Sequence, residues 1–310
     1  MYDIVIIGAG PAGLSAGLYA ARAGMKTLIV EKETIGGQIA LTMNVDNYPG
    51  IMNSPTGPEL TDVMLKQAME FGAEKLSAEI IELDLSSKIK KIKTDKVTLE
   101  AKAVIIATGA NPRKLGIPGE EEFTGKGVAY CATCDGPFYS GLEVYVIGGG
   151  DAALEEALFL TKFARKVTVV YRGPKMRAAR TIQDKVFAHE KIEVILNSEI
   201  KEIKGAMGVT QMTMVNNKTG ETTLVEPTNG DSDFGVFIFI GYVPNTSLVS
   251  DQLEMDGGYI VTDDEMATSI EGVYASGDVR RKSVRQVVTA TSDGAIAAIN
   301  ASKYIENNFY

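Results

Sequence analysis

The only two cysteines of the chain, Cys131 and Cys134, stand three residues apart in the run Cys131-Ala132-Thr133-Cys134-Asp135. A Cys-x-x-Cys pair brings two sulfurs close enough to close a small disulfide ring, and it lowers the pKa of one thiol so that thiolate attack becomes possible near neutral pH. The chemistry suggested is thiol-disulfide exchange. Two other uses of the pair fit less well. A structural zinc ion wants about four nitrogen or sulfur ligands, and beyond this pair the sequence offers a single histidine, His189; no metal is expected. A static staple across two residues would remove little unfolded-state entropy.

A cycling dithiol needs a supply of electrons, and two glycine-rich turns flank it in sequence. The apolar run 3–7 suits a buried parallel strand, and Gly8-Ala9-Gly10-Pro11-Ala12-Gly13 follows without a gap. A helix-forming stretch over 14–23, closed by Gly24, leads to a second strand, 27–31, that ends in Glu31. Strand, G-x-G-x-x-G, helix, strand, acid is the context that a bare glycine motif lacks. Gly8, Gly10 and Gly13 allow a tight turn and let the backbone approach a pyrophosphate. The helix N-terminus supplies its dipole and free N–H groups, and Glu31 can accept hydrogen bonds from ribose hydroxyls.

The pattern recurs just after the dithiol. A strand over 143–147 runs into Gly148-Gly149-Gly150-Asp151-Ala152-Ala153, a helix is predicted over 154–163, and a strand over 166–171 follows. No acid ends this strand; Arg172 and Arg177 come instead. A carboxylate there would repel a 2′-phosphate, whereas an arginine fork can bind one. The first unit is therefore expected to hold a nucleotide with a free ribose, and the second to favour NADPH over NADH.

The remaining elements and the composition frame these sites. A hydrophobic fraction of 45% with 23% charged residues matches a globular chain with room for two domains. A net charge of −9 argues against nucleic acid and against anionic membrane surfaces. No apolar run approaches the roughly 18 residues of a membrane span, and Met1-Tyr2-Asp3 leads into a strand with no basic leader, which predicts a reducing, cytoplasmic location. An amphipathic helix is expected over 59–72, an antiparallel ribbon over 76–100 and a buried strand from Val104 to the Thr108-Gly109 turn. Segments rich in Pro and Gly at 111–119 and 241–244 would carry the chain into and out of an inserted domain. A strand over 272–276 should end at Ser276-Gly277-Asp278, before an alanine-rich helix over 286–305.

With both nucleotide units, the dithiol and this strand end in hand, the chain resembles the low-molecular-weight thioredoxin reductases over essentially its whole length. The residues that carry the likeness are Gly8 to Gly13, Gly36-Gly37-Gln38, Asp46-Asn47-Tyr48-Pro49-Gly50, Ala107-Thr108-Gly109, Cys131 to Asp135, Gly148 to Ala153, Gly277-Asp278-Val279 and Arg285-Gln286-Val287. The resemblance implies an α/β fold of two Rossmann-like, three-layer ββα nucleotide-binding domains, the NAD(P)H domain inserted into the FAD domain. Residues 1–113 and 245–310 would form the FAD domain, and 114–244 the NAD(P)H domain with the redox-active pair. It also implies a homodimer. On this pattern Gly8, Gly10, Gly13, Glu31, Gly37, Gln38, Asn47, Thr108, Gly109, Asp278, Gln286 and Val287 would bind FAD. Gly149, Gly150, Asp151, Ala152, Arg172 and Arg177 would bind NADPH.

The likeness further implies thioredoxin-disulfide reduction, with electrons passing from NADPH through FAD to the dithiol and on to thioredoxin. Cys134 would receive electrons from flavin, Cys131 would attack the partner disulfide, and Asp135 would serve as acid or base. Since the dithiol and the second nucleotide unit share one domain, a rotation of that domain about 112–118 and 241–245 is expected. The chain departs from the family at the 2′-phosphate motif, usually His-Arg-Arg with an arginine four residues on: here it reads Tyr171-Arg172-Gly173 before Arg177, and Ala152 replaces a usual serine. NADH or ferredoxin as donor therefore stays open, as does a glutaredoxin-like or peroxiredoxin partner. Reading the chain as a redox-sensing nucleotide-binding protein leaves the dithiol without a purpose.

Overall fold

In a computed structural model every residue is described except Met43, Asn44, Asp46 and Ser54. Asp46, one of the residues behind the resemblance, thus lies outside the described residues. The chain divides into two compact units, one made of Met1–Asn111 with Val243–Tyr310, the other of Pro112–Tyr242.

The first unit begins with β1 (Tyr2–Ile7), α1 (Pro11–Arg22), β2 (Thr27–Glu31), α2 (Gly57–Glu70), β3 (Glu74–Ser77), β4 (Ile80–Asp84), β5 (Lys90–Thr94), β6 (Thr98–Ile106) and β7 (Ala110–Pro112). Its sheet runs β3-β2-β1-β6-β5-β4. Both faces of β1 are covered, Ile4 and Ile6 on the helix side and Val5 and Ile7 on the other, which is why this strand reads as an unbroken apolar run rather than an alternating one. Two expected boundaries move. Helix α2 starts at Gly57 because Thr56 caps it: the Thr56 hydroxyl accepts the Glu59 N–H at 3.3 Å, and the Glu59 carboxylate accepts the Thr56 N–H at 2.8 Å. The ribbon expected over 76–100 and the strand expected from Val104 share one nine-residue strand, β6, so the ribbon is hydrogen-bonded into the main sheet.

The second unit holds β8 (Val128–Ala129), α3 (Ala132–Asp135), β9 (Glu143–Ile147), α4 (Asp151–Leu160), β10 (Lys166–Tyr171), α5 (Arg180–Ala188), β11 (Ile192–Leu196), β12 (Ser198–Gly205), β13 (Val209–Asn216), β14 (Thr222–Val225) and β15 (Gly235–Ile238). Its parallel sheet, β11-β10-β9-β15-β8, is covered on one face by helices and on the other by the antiparallel meander β12-β13-β14. Val144 and Val146 of β9 pack toward the helices, and Tyr145 and Ile147 toward the meander. This is the three-layer arrangement of a nucleotide-binding fold.

The chain returns through β16 (Tyr242–Pro244), which pairs with β7, and completes the first unit with β17 (Met255–Asp256), β18 (Tyr259–Ile260), β19 (Val273–Ala275) and α6 (Val287–Phe309). β5 pairs with the first half of β6 and β19 with its second half, so the late strand lies beside the middle of the sheet. No helix among the described residues is long and apolar enough to cross a membrane.

Candidate functional site

The dithiol and the second glycine turn belong to one unit, and the first glycine turn, with all the residues expected at a flavin, to the other. In the second unit Cys131 and Cys134 form a disulfide with a Cα–Cα distance of 5.3 Å. Cys131 sits at the N-cap of the short helix α3, in extended backbone, and its Sγ accepts the Cys134 N–H at 3.2 Å, with the Thr133 Oγ1 at 3.3 Å. The residue before it is pinned at both ends. The Tyr130 carbonyl accepts the Tyr242 hydroxyl at 3.0 Å, and the Tyr130 hydroxyl donates to Glu120 at 2.8 Å. Glu120 is buried and also accepts the N–H groups of Leu115 at 2.8 Å and Gly116 at 2.7 Å. Asp135 is the last residue of α3. Burial pushes its carboxyl pKa up to about 6.

Beside the second glycine turn, the Arg177 N–H donates to the Gly149 carbonyl at 2.8 Å, and the Ala179 N–H donates to Asp151 Oδ1 at 2.6 Å. These bonds fold the segment after β10 back onto the start of α4, where Gly150 is the N-cap with no side-chain cap. Arg172 and Arg177 are both exposed, and neither is ion-paired among the described residues. Tyr171 explains the altered motif. A Cβ on Gly149 would fall 2.5 Å from the Tyr171 ring and one on Gly173 2.8 Å from it, so the ring occupies the space a side chain at either position would need.

The first unit repeats this geometry with different chemistry. The Gly8 N–H donates to the Val30 carbonyl at 2.8 Å as the Gly148 N–H does to that of Val170 at 3.1 Å, with Ile7 opposite Val30 and Ile147 opposite Val170. Glu31 and Tyr171 are therefore equivalent positions. Glu31 is held facing its turn: its two oxygens accept the Ala9 N–H at 2.8 Å and the Glu33 N–H at 2.9 Å. Gly8 has φ +106°, and a Cβ there would meet the carbonyl carbon of Ala107 at 2.8 Å. Gly8→Ala should accordingly cost about 2 kcal/mol or more, as measured by the denaturant midpoint.

Sequence-distant residues meet around this turn. Asn47 Nδ2 donates to Gln286 Oε1 at 3.2 Å, and Gln286 is the N-cap of α6, ahead of Val287. Gln38 donates to Asn111 at 2.8 Å; Asn111 in turn donates to the Asn245 side chain at 3.3 Å, and the Thr108 hydroxyl donates to the Asn245 carbonyl at 2.7 Å. Asn111 and Asn245 were not among the expected site residues, and nothing local in the sequence marks them. Gly37 and Gly109 both lie in left-handed backbone. Asp278, on the turn Gly277–Val279, is shielded, and its Oδ1 is a buried acceptor with no hydrogen-bond partner among the described residues. Burial raises its pKa, while the charges of Lys282 and Arg285 lower it and Asp293 raises it further.

These features fit a dinucleotide. The start of α1 offers no side-chain cap and no first-turn acid, which suits a pyrophosphate, and the orphaned acceptor of Asp278 suits a sugar-chain hydroxyl. In the second unit α4 likewise has no side-chain cap, which leaves its N-terminus open to a second nucleotide.

Comparison with known proteins identifies the family. A family model described as pyridine nucleotide-disulphide oxidoreductase matches residues 2–294. The chain is 54% identical, over 100% of its length and 98% of the relative's, to a thioredoxin reductase of Peptoclostridium acidaminophilum. It is 56% identical, with the same coverage, to a thioredoxin reductase of Peptoclostridium litorale. A solved thioredoxin reductase from Streptococcus pyogenes superposes with a TM-score of 0.93 at 44% identity, covering 99% of each chain.

Proposed function

The chain belongs to the pyridine nucleotide-disulphide oxidoreductase family, among the thioredoxin reductases, and from that premise we propose that it draws electrons from NADPH and delivers them to the disulfide of thioredoxin. The observation that carries the reading is the Cys131–Cys134 disulfide at the cap of α3, one residue from a carboxyl whose pKa is raised to about 6. The unit 1–111 with 243–310 is proposed to hold FAD, and the unit 112–242 the pyridine nucleotide. Gly8, Gly10 and Gly13 would face the FAD pyrophosphate and Glu31 its ribose. Gly37, Gln38, Asn47, Thr108, Gly109, Gln286 and Val287 would line the cofactor, and Asp278 would take a hydroxyl of its sugar chain. Gly149, Gly150, Asp151 and Ala152 would face the donor's pyrophosphate, and Arg172 and Arg177 its 2′-phosphate. The same reading makes the protein a cytoplasmic homodimer.

Bound flavin supplies the two-electron chemistry that links a hydride donor to a disulfide. The protein's residues do the rest. Two electrons and one proton break the Cys131–Cys134 bond, leaving one sulfur as thiolate and one as thiol. The Cys134 N–H that Cys131 Sγ accepts is in place to hold a thiolate at Cys131, which favours that sulfur as the attacking one. Its attack on the partner disulfide forms a mixed disulfide and expels a partner thiolate, to which Asp135 can give a proton. The Cys134 thiol then gives its proton to the Asp135 carboxylate and attacks Cys131, which restores the internal bond and releases the second partner thiolate.

Anaerobic titration of the yellow protein with NADPH and NADH separately tests the reading: one equivalent of NADPH should bleach the flavin, and failure of both nucleotides to do so would sink it. Donor preference rests on two cations. Arg177→Gln should lower kcat/KM for NADPH by about 10- to 100-fold and leave that for NADH within a few-fold. A cation at position 173 should sharpen the preference only once the ring is reduced, because a Cβ there meets Tyr171. The pair Tyr171→His/Gly173→Arg is thus expected to raise the NADPH/NADH ratio by about tenfold or more, and an unchanged ratio would remove these positions from the phosphate site.

A further inference from the structure

The turn that bears Asp278 is held by a buried charge cluster with no part in the electron path above. Asp293, on α6, is 6% exposed. Its Oδ2 accepts the Gly277 N–H at 3.1 Å and lies 2.7 Å from Lys282 Nζ, and its Oδ1 lies 3.2 Å from Arg280 Nη1. The side chains of both cations are themselves nearly buried. Arg280 has a second acceptor, donating from Nε to Thr262 Oγ1 at 2.8 Å. Lys282 donates to Asp293 alone among the described residues. Asp278 stands within electrostatic reach of this lysine, yet its Oδ1 has no partner.

Two carboxylates thus lie near the Lys282 ammonium, and among the described residues its hydrogen bond goes to Asp293 alone. We infer that Asp293 is a positioning residue for the flavin site: by engaging Lys282 it keeps the ammonium off Asp278 and leaves Asp278 Oδ1 open to accept a hydroxyl of the cofactor. A lysine ammonium has three donors and no acceptor, and a buried one that loses its carboxylate is strongly driven to the next. Without the Asp293 charge, Lys282 turns to Asp278 and occupies the acceptor the cofactor needs. The inference rests on the proposed meeting of Asp278 with flavin.

Flavin release from the purified holoprotein, followed as the rise in flavin fluorescence after dilution, tests it without reference to turnover. Asp293→Asn should release flavin about 10- to 100-fold faster, the range for losing a charge-assisted hydrogen bond. Adding Lys282→Met to that variant should return release to within a few-fold of the parent, because the competing ammonium is gone. Lys282→Met alone should release at the parent rate, and it keeps the question open to test should Asp293→Asn fail to accumulate. Parent-like release from Asp293→Asn, a double variant as fast as the single, or fast release from Lys282→Met alone each overturns the inference. Asp278→Ala separates this from the underlying reading. Unchanged release there would mean that Asp278 does not meet flavin at all, whereas fast release from Asp278→Ala with parent-like release from Asp293→Asn defeats only the role given to Asp293.

Discussion

Cys131→Ser is expected to stop turnover with a protein disulfide, by about 1000-fold or more, while the bound flavin remains reducible by a pyridine nucleotide. A serine hydroxyl at neutral pH carries almost no anion and forms no bond that a thiolate can later break, so the mixed disulfide never forms. Bleaching of the flavin does not require this sulfur. Cys134→Ser should be as inactive in turnover for a different reason: Cys131 can still attack, but nothing resolves the intermediate. The variants then differ in what they trap. Cys134→Ser, reduced and mixed with oxidised thioredoxin, should accumulate a covalent adduct stable in denaturant without reductant and cleaved by dithiothreitol. Cys131→Ser should accumulate little. An adduct favouring Cys131→Ser would exchange the roles of the two sulfurs, and it would leave the N–H that Cys131 accepts from Cys134 without a chemical purpose.

The second large effect concerns Asp135. Its carboxyl is raised to about 6 by burial, so it carries a proton over a range where an ordinary aspartate has lost it. Asp135→Asn should lower kcat/KM for the protein disulfide by about 100- to 10,000-fold, the usual span for a general acid or base. It should also remove the inflection near pH 6 from the rate profile; persistence of that inflection would assign it to another group. The stability consequence has the opposite sign. An acid whose folded pKa lies above its unfolded value adds stability that is present below the unfolded pKa and is lost as pH rises through the folded one. Ionised Asp135 is therefore a burden on the oxidised protein above about pH 6. Asp135→Asn should raise Tm at pH 8 while changing it little at pH 4, and a Tm lowered at pH 8 would show that the ionised carboxylate is well served where it sits.

How far the sequence reveals these sites depends on where each residue finds its partners. Strands Thr27–Glu31 and Lys166–Tyr171 end where the sequence places them, because an apolar run set between a helical stretch and a polar turn has one reading. The nucleotide turns are legible for the same reason: their spacing and their flanking elements are local. β6 is not. Glu100 and Lys102 make its middle look like a break, but the Lys102 ammonium is matched by Asp3 at 2.7 Å and Tyr310 at 2.9 Å, partners from the two ends of the chain. Glu120 is likewise hidden among Glu121 and Glu122. Only the fold shows which of the three is buried beneath Tyr130. Asp278 and Gln286 could be named from motif, whereas Asn245 and Asp293 act through contacts that no local pattern encodes. Gly173 reads from sequence as a missing cation. Beside the Tyr171 ring it is a position where a side chain would force the ring to shift.

The pairing of β7 with β16 also bears on how the chain acquires its structure. The first unit is discontinuous: β19 must find β6 across the whole of the chain between Pro112 and Tyr242. Closing so long a loop in a disordered chain is slow and entropically costly. Once the inserted segment has folded, however, the Arg113 N–H meets the Gly241 carbonyl at 2.9 Å, and the loop shrinks to a tether of a few residues. The insertion is then expected to act as a clasp for the two halves of its host, with assembly expected to run from the inside of the sequence outward.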